Sequence, residues 1–296
     1  MPFSKSFLGL PTQPCDNFRS RRLNVTMSKK NPRPVPRFET PIVETHCHLD
    51  YLDADALEGV LSSSLEVGVE RLITIGVSPD NQRAVIALTE TSDRIWGTQG
   101  IHPHEAEHWD AQVAALVRTG ATHPRIVAIG EIGLDYYYDH ADRTAQARAF
   151  EAQLALAIEL DLPVVIHTRE ADADTRAILA NISGRLRKGG VIHSFTSSLE
   201  LAEYCLSEGF YLGFNGITTF KNADNVRAVV SACPLEQLVL ETDSPYLTPV
   251  PYRGRVNTPY YLPFVAEKIA EIKHCPIEQL LATCRRNSYT LFFESI

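Results

Sequence analysis

From residue 40 onward, short β-branched apolar runs alternate with longer segments of helical periodicity. The clearest helical segment runs from Asp142 to Leu160, where Phe150, Leu154 and Ile158 recur on one face at i, i+4 and i+8. Asp142 is a residue type that caps helix N-termini. The apolar runs predict eight strands, at Ile42–His46, Arg71–Val77, Ile95–Gly100, Ile126–Ile132, Pro163–His167, Gly190–His193, Phe210–Phe214 and Gln237–Glu241.

The regular order of strand and helix predicts an α/β protein. Parallel strands need crossover connections, and helices supply them. Eight such units favour closure into a TIM-type (β/α)₈ barrel, with an open doubly wound sheet as the structural alternative. We therefore predict a single barrel domain over residues 40–296, with its functional site at the C-terminal rim of the strands.

Residues 1–39 lack apolar periodicity and are rich in proline, so we predict a basic, disordered extension. Residues 1–38 carry eight basic side chains against Asp16 alone, a net charge of +7, which leaves −15 for the rest of a chain whose net charge is −8. Such Arg-rich segments resemble organelle transit peptides. A basic tail, or a translation start at Met27, is the other interpretation.

Composition narrows the class of protein. No run approaches the roughly 20 apolar residues that span a bilayer, so we expect no membrane insertion. The six cysteines form no CxxC pair and indicate reduced thiols, hence a cytoplasmic protein. The acidic body argues against a broad basic surface that coats nucleic acid, but not against an enzyme that binds phosphates through metal. No obligate protein partner is evident.

Histidines and acids follow the predicted strands at the point where each strand ends. In a (β/α)₈ barrel these ends converge on one rim, and the two histidines of an HxH pair face the same side of their strand. Each residue alone has a structural explanation, as a core histidine, a salt-bridge acid or a turn residue. Together they predict a metal centre built from His46, His48, Glu131, His167, His193 and Asp243.

Crowded imidazoles and carboxylates cost free energy unless cations compensate them. Six ligands exceed the needs of one closed site, so we predict two divalent ions that share a carboxylate and activate water. The ligands suit Zn²⁺, Mn²⁺ or Mg²⁺, and four imidazoles by themselves favour zinc.

Seven motifs carry a family resemblance that extends from residue 41 to the C-terminus. They are THCHLD (Thr45–Asp50), GIHPH (Gly100–His104), GEIGLDYY (Gly130–Tyr137), LPVVIHTRE (Leu162–Glu170), IHSFTSS (Ile192–Ser198), GFNGITTFKNA (Gly213–Ala223) and ETDSPYLTPVPYRG (Glu241–Gly254). In order and spacing, this set resembles the TatD-type deoxyribonucleases.

The resemblance implies a TIM barrel that binds two divalent metals, Mg²⁺ in particular, and hydrolyses DNA as a 3′–5′ exonuclease on single-stranded or frayed ends, with RNA as a further substrate. By position, His46 and His48 match ligands of one metal, and His167 and His193 match ligands of the other. Glu131 matches the bridging carboxylate. Asp243 matches the acid that binds metal or the attacking water and accepts its proton. Glu131 and Asp243 are therefore the predicted catalytic residues.

Two positions depart from the family pattern: Ser194, where cysteine is common, and Asn215, where serine is frequent. We expect neither to touch a ligand. Further candidates are His102, Arg169 and Arg253 for substrate phosphate, each with a structural hydrogen bond or surface salt bridge as the alternative. Glu241 is predicted to orient a metal ligand. Tyr136, Lys221, Phe195 and Phe220 are weaker candidates at the rim.

Two other classes of function compete with the nuclease. An amidohydrolase-like enzyme, which cleaves small phosphate esters, lactones or amides, would share the same histidines and aspartate. Several such enzymes use a carboxylated lysine on the fourth strand, where this chain has Glu131. A non-catalytic nucleic-acid binder on the same barrel would have lost a metal ligand, but all six are present.

Overall fold

A computed structural model describes residues 32–293 of the chain. The chain divides into two compact units, Met1–Pro32 and Arg33–Ile296. Of the extension predicted for residues 1–39, residues 1–31 lie outside the described residues. The second unit begins at Arg33, ahead of the predicted domain start at residue 40.

Eight parallel strands pair in chain order around a barrel. The predicted TIM-type fold is thus confirmed, and the open doubly wound sheet is wrong because its strand order would not be sequential. The strands are β1 (Ile42–Cys47), β2 (Val69–Thr74), β3 (Ile95–Gln99), β4 (Ile126–Asp135), β5 (Val164–Arg169), β6 (Gly190–Ile192), β7 (Tyr211–Phe214) and β8 (Leu238–Leu240).

The last contact of the barrel is made by residues that follow β8. The Asp243 N–H donates to the His46 carbonyl at 2.9 Å, and the His48 N–H donates to the Ser244 carbonyl at 2.7 Å. Cys47 and Ser244 form a parallel bridge between these bonds. This seam holds the HxH pair beside Asp243 through main-chain hydrogen bonds.

Nine α-helices are found among residues 32–293. They are α1 (Leu57–Glu66), α2 (Gln82–Thr91), α3 (Ala111–Gly120), α4 (Arg143–Leu160), α5 (Asp172–Ala180), α6 (Leu199–Ser207), α7 (Asp224–Ala232), α8 (Leu262–Lys273) and α9 (Ile277–Phe292). The helix predicted up to Leu160 is confirmed, and Asp142 caps it by accepting from the N–H groups of Thr144 and Ala145. None of the described helices is both long and apolar enough to cross a membrane.

The core has two main layers. One buried cluster joins apolar side chains of seven strands, among them Val43, Ile73, Val165 and Val239, to the end of α9 at Leu291 and its neighbours. Side chains from so many strands of a closed barrel meet in its interior. A larger cluster packs the outer faces of the strands against the helices.

Residues just before β1 lie against the helices. Arg33 forms an ion pair with Glu267 on α8, and the Glu278 carboxylate on α9 accepts from the backbone N–H groups of Glu39 and Thr40 at 3.1 and 2.9 Å. These contacts tie the segment before β1 to α8 and α9.

Replacing Asp142 with alanine should destabilise the protein by about 1 kcal/mol, because two N–H groups in the first turn of α4 lose their acceptor. Denaturant unfolding followed by circular dichroism measures the change. Asp142→Asn, which keeps an acceptor oxygen, is the matched control and should stay close to the natural protein. Equal stability of all three proteins would show that the cap contributes nothing.

Candidate metal centre

The side chain of Glu131 lies at the middle of the site. Its Oε1 atom is 2.8 Å from Nε2 of His193 and 3.0 Å from Nδ1 of His167, whereas its Oε2 atom is 3.4 Å from Nε2 of His46. The register of β4 against β5 shifts between Ile129 and Ile132, and Glu131 lies within this irregular stretch. One carboxylate therefore faces histidines on both of its oxygens.

The other acid, Asp243, lies next to the HxH pair. Its Oδ1 atom is 3.4 Å from Nε2 of His48 and 3.8 Å from Nε2 of His46. The His46 ring stacks on His193 with 3.7 Å between the ring centroids and 9° between the planes. All six side chains predicted as ligands thus meet in one place, although they lie at the ends of five different strands.

The environment keeps both acids ionised. Burial acts to raise the pKa of Glu131, but the charge of His193 and hydrogen bonds from His167 and His193 outweigh it and lower that pKa well below its usual value. Burial likewise opposes ionisation of Asp243, and the hydrogen bond from His48 with the charges of the neighbouring histidines lowers its pKa. Two carboxylates at this depth demand positive charge.

The donor set fits a divalent cation. Both ring nitrogens of His46, and Nδ1 of His48 and His193, are buried without a hydrogen-bond partner among the described residues. A cation that accepts such lone pairs removes the cost of burying them. Three groups place their donor atoms within 4.8 Å of one another: His46, His193 and Glu241; His46, His48 and Glu131; and His102, Glu131 and His167.

His102, predicted to bind substrate, reaches the centre itself. Its Nε2 atom is 3.5 Å from Oε1 of Glu131. Its Nδ1 atom accepts a hydrogen bond from the His104 N–H at 3.1 Å. The same ring therefore contacts Glu131 on one edge and the backbone on the other.

Glu241 lies beside His193, with 3.6 Å between Oε1 and Nδ1. The same oxygen accepts from the Ser194 N–H at 2.7 Å and from the Asn215 amide at 3.1 Å. Asn215 also donates to the Ser194 hydroxyl at 2.8 Å. The two positions that depart from the family pattern thus contact each other, and both contact the acid next to His193.

The two arginines lie over aromatic rings. The Arg169 guanidinium is 4.2 Å from the ring centroid of Tyr137, and that of Arg253 is 3.8 Å from Phe220. Arg253 also donates to the Thr248 carbonyl at 3.3 Å. Neither arginine forms an ion pair with any residue between 32 and 293. The surface salt bridges considered as alternatives are therefore not found in this part of the chain.

Asp135 and His104 lie at the site, but the sequence analysis predicted neither of them. The Asp135 Oδ2 atom is 3.1 Å from Nε2 of His167 and 3.0 Å from Nε2 of His104. The predicted fourth strand ended at Ile132, which placed Asp135 beyond the rim, but β4 continues to Asp135. Asp135 and Glu131 are separated by an even number of positions, so on one extended strand their side chains face the same side. This spacing was the signal that could have identified Asp135.

A (β/α)₈ barrel that gathers four histidines and two acids at its strand ends defines a metal-dependent hydrolase. A sequence model of the TatD related DNase family matches residues 43–293. The chain belongs to this family.

Relatives and solved structures agree with the assignment. The uncharacterized metal-dependent hydrolase YabD of Bacillus subtilis is 38% identical over 85% of this chain and 98% of its own length. The 3′-5′ ssDNA/RNA exonuclease TatD of Erwinia tasmaniensis is 36% identical over 79% of this chain and 92% of its own. The crystal structure of YJJV, a TatD homolog from Escherichia coli, superposes with a TM-score of 0.81 at 30% identity, covering 85% and 97% of the two chains.

Metal should stabilise the protein, because a cation bound to the folded site has no equivalent site in the unfolded chain. At a concentration about 1,000 times its dissociation constant it adds roughly 4 kcal/mol, which raises Tm by roughly 5–10 °C. Thermal unfolding after chelation, and again with Mg²⁺, Mn²⁺ or Zn²⁺, measures the shift. Glu131→Gln is the control and should show a smaller shift. An unchanged Tm with every metal would contradict a metal centre.

Proposed function

We propose that the chain is a nuclease that hydrolyses phosphodiester bonds in DNA, as a 3′–5′ exonuclease on single-stranded or frayed ends, with RNA as a further substrate. The observation that carries this proposal is the position of Glu131, which faces His46 with one oxygen and His167 and His193 with the other. The exonuclease of Erwinia tasmaniensis, to which the chain is 36% identical, supports the direction and the kind of substrate.

We propose two divalent cations, Mg²⁺ by family resemblance. His46, His48 and Asp243 would hold one, His167 and His193 the other, and Glu131 would contribute to both. When bound, the ions supply a Lewis acid for the phosphate and lower the pKa of water.

The chain's own residues then have separate tasks. Asp243 is buried next to His46 and His48 and is ionised, so it can accept a proton from the attacking water. His102 offers a ring edge to the centre, and Arg169 and Arg253 offer donor forks without ion-pair partners in the described chain. These three groups would bind the phosphate oxygens of the substrate.

The depth of the centre favours a single strand. Glu131 is 3% exposed and His193 is 4% exposed, so a phosphodiester must enter past the rim of the barrel to reach them. The end of one strand can do so, whereas an intact duplex is held outside by its second strand. A frayed duplex end also presents a single strand and can enter in the same way.

We also propose a cytoplasmic location. Five cysteines in the described residues are free thiols, namely Cys47, Cys205, Cys233, Cys275 and Cys284. Unpaired thiols persist in reducing compartments.

The proposed function is tested by incubating purified protein with 5′-labelled single-stranded and blunt duplex oligonucleotides in Mg²⁺ or Mn²⁺. We expect a ladder that shortens the single strand from its 3′ end, with little cleavage of the duplex. An RNA strand and a panel of small phosphate esters, lactones and amides are run alongside. Cleavage of the small substrates alone would favour the amidohydrolase-like alternative, and intact oligonucleotides with both metals would refute the nuclease.

Glu131→Ala should reduce metal affinity and activity together. Losing a residue that merely supports a ligand costs up to about 100-fold, so losing a shared ligand should cost more than about 100-fold. Metal content is measured by elemental analysis beside the rate. Glu151→Ala, on the exposed face of α4, is the carboxylate control. Two bound ions and full activity in Glu131→Ala would show that the bridge is misassigned.

Asp243→Asn should lower kcat by about 10²- to 10⁴-fold if the carboxylate accepts the proton of water. Steady-state kinetics on a single-stranded oligonucleotide separate kcat from KM, and metal content shows whether an ion is lost as well. An effect confined to KM would mean that Asp243 binds substrate rather than handling the proton.

A further inference from the structure

Asp135 is the most completely hydrogen-bonded acid at the metal centre. It is the last residue of β4 and is fully buried. Its Oδ1 atom accepts from the N–H groups of Tyr137 and Tyr138 at 3.0 and 2.9 Å. Its Oδ2 atom lies 3.0 Å from Nε2 of His104 and 3.1 Å from Nε2 of His167.

The backbone of Asp135 is fixed as well, by a side chain of α4. The Asp135 N–H donates to the Gln146 side chain at 2.8 Å, and the Gln146 amide donates to the carbonyls of Asp135 and Ala141 at 3.2 and 2.9 Å. Gln146 is buried in the first turns of α4. Asp135 is thus anchored to α4 by hydrogen bonds, which suits a residue that sets another residue's orientation.

This geometry leaves one nitrogen of His167 for a cation. A carboxylate only accepts hydrogen bonds, so the Nε2 atom that faces Asp135 carries a hydrogen, and by the same rule Nδ1 carries one towards Glu131 while no cation is bound. That Nδ1 atom lies 3.0 Å from Oε1 of Glu131 and 3.3 Å from Nε2 of His193. A cation in the centre would take the place of the hydrogen on Nδ1, whereas Asp135 retains the hydrogen on Nε2.

The Oδ2 atom of Asp135 also constrains His104, which in turn contacts His102. Asp135 holds the His104 ring, and the His104 N–H donates to Nδ1 of His102 at 3.1 Å. With Nδ1 occupied as an acceptor, the neutral His102 ring carries its hydrogen on Nε2, 3.5 Å from Glu131. His102 thus presents a donor to the centre, although its distance alone would also permit a metal ligand.

We propose that Asp135 is the positioning residue of the metal centre: it fixes His167 as a ligand through Nδ1 and, through His104, keeps His102 as a hydrogen-bond donor for a substrate oxyanion. The inference deepens the proposed function, because it rests on a metal centre formed by His167 and Glu131. It adds that His102 acts as a hydrogen-bond donor whereas His167 acts as a metal ligand. The distances of His102, His167 and His193 from Glu131 do not reveal this difference.

The first test is the tautomer of His167 in natural protein loaded with Zn²⁺. Proton–nitrogen correlation NMR on ¹⁵N-histidine-labelled protein, at mildly alkaline pH, distinguishes Nε2–H from Nδ1–H. We expect Nε2–H at both His167 and His102. An Nδ1–H tautomer at His167 in the zinc-loaded protein would overturn the proposal, whether or not any variant folds.

The second test is Asp135→Asn, which keeps the shape but places an amide against the imidazoles. We expect an affinity for Zn²⁺ or Mn²⁺ that is about 10- to 100-fold weaker by calorimetric titration of metal-free protein, with a mixed tautomer at His167. His104→Gln removes only the second imidazole. In that variant metal affinity should hold, while KM for a single-stranded oligonucleotide rises.

Asp110→Asn, at the exposed N-terminus of α3, is the control and should change none of these values. An affinity of Asp135→Asn within about twofold of the natural protein, with His167 still Nε2–H, would refute the positioning role. None of the titration or NMR measurements requires cleavage, so a natural protein that fails to cut DNA would sink the nuclease proposal and leave this one standing.

Discussion

The site depends on the backbone seam between β1 and the residues that follow β8. Two short hydrogen bonds, from Asp243 to His46 and from His48 to Ser244, close the barrel and in the same step align the HxH pair with an acid almost 200 residues away. Main-chain hydrogen bonds of this kind leave little freedom, because a slip by one residue would turn each side chain to the opposite face. The chemistry is therefore positioned by the fold itself.

Burial then gives the seam its electrostatic character. Glu131 and Asp243 remain ionised among histidines whose ring nitrogens in part have no hydrogen-bond partner in the described chain. Such a set is unfavourable without a cation and favourable around one. The same residues thus suit a hydrolase that depends on metal.

Close contacts alone do not assign roles within this cluster. His102, His167 and His193 all lie within 3.5 Å of one oxygen of Glu131. The hydrogen bonds on the far edges of the rings separate them, since Asp135 faces His167 and a backbone N–H faces His102. Partners outside the immediate centre decide which nitrogen is a donor and which is a lone pair.

Strand and helix periodicity, with a cap at Asp142, determined the barrel from sequence, because those signals are local. The meeting of the six predicted side chains could be inferred too, since strand ends of a parallel barrel converge wherever the exact boundaries fall. Asp135 was missed because the apolar segment that marks β4 ends before it, although its spacing from Glu131 on one strand was a usable signal; its contact with His104 could not be read from the sequence, because His104 comes from another loop. Nor could the contacts of Arg33, Glu39 and Thr40 with α8 and α9. Register, ring orientation and hydrogen-bond direction depend on packing between segments distant in sequence, so only the tertiary structure decided them.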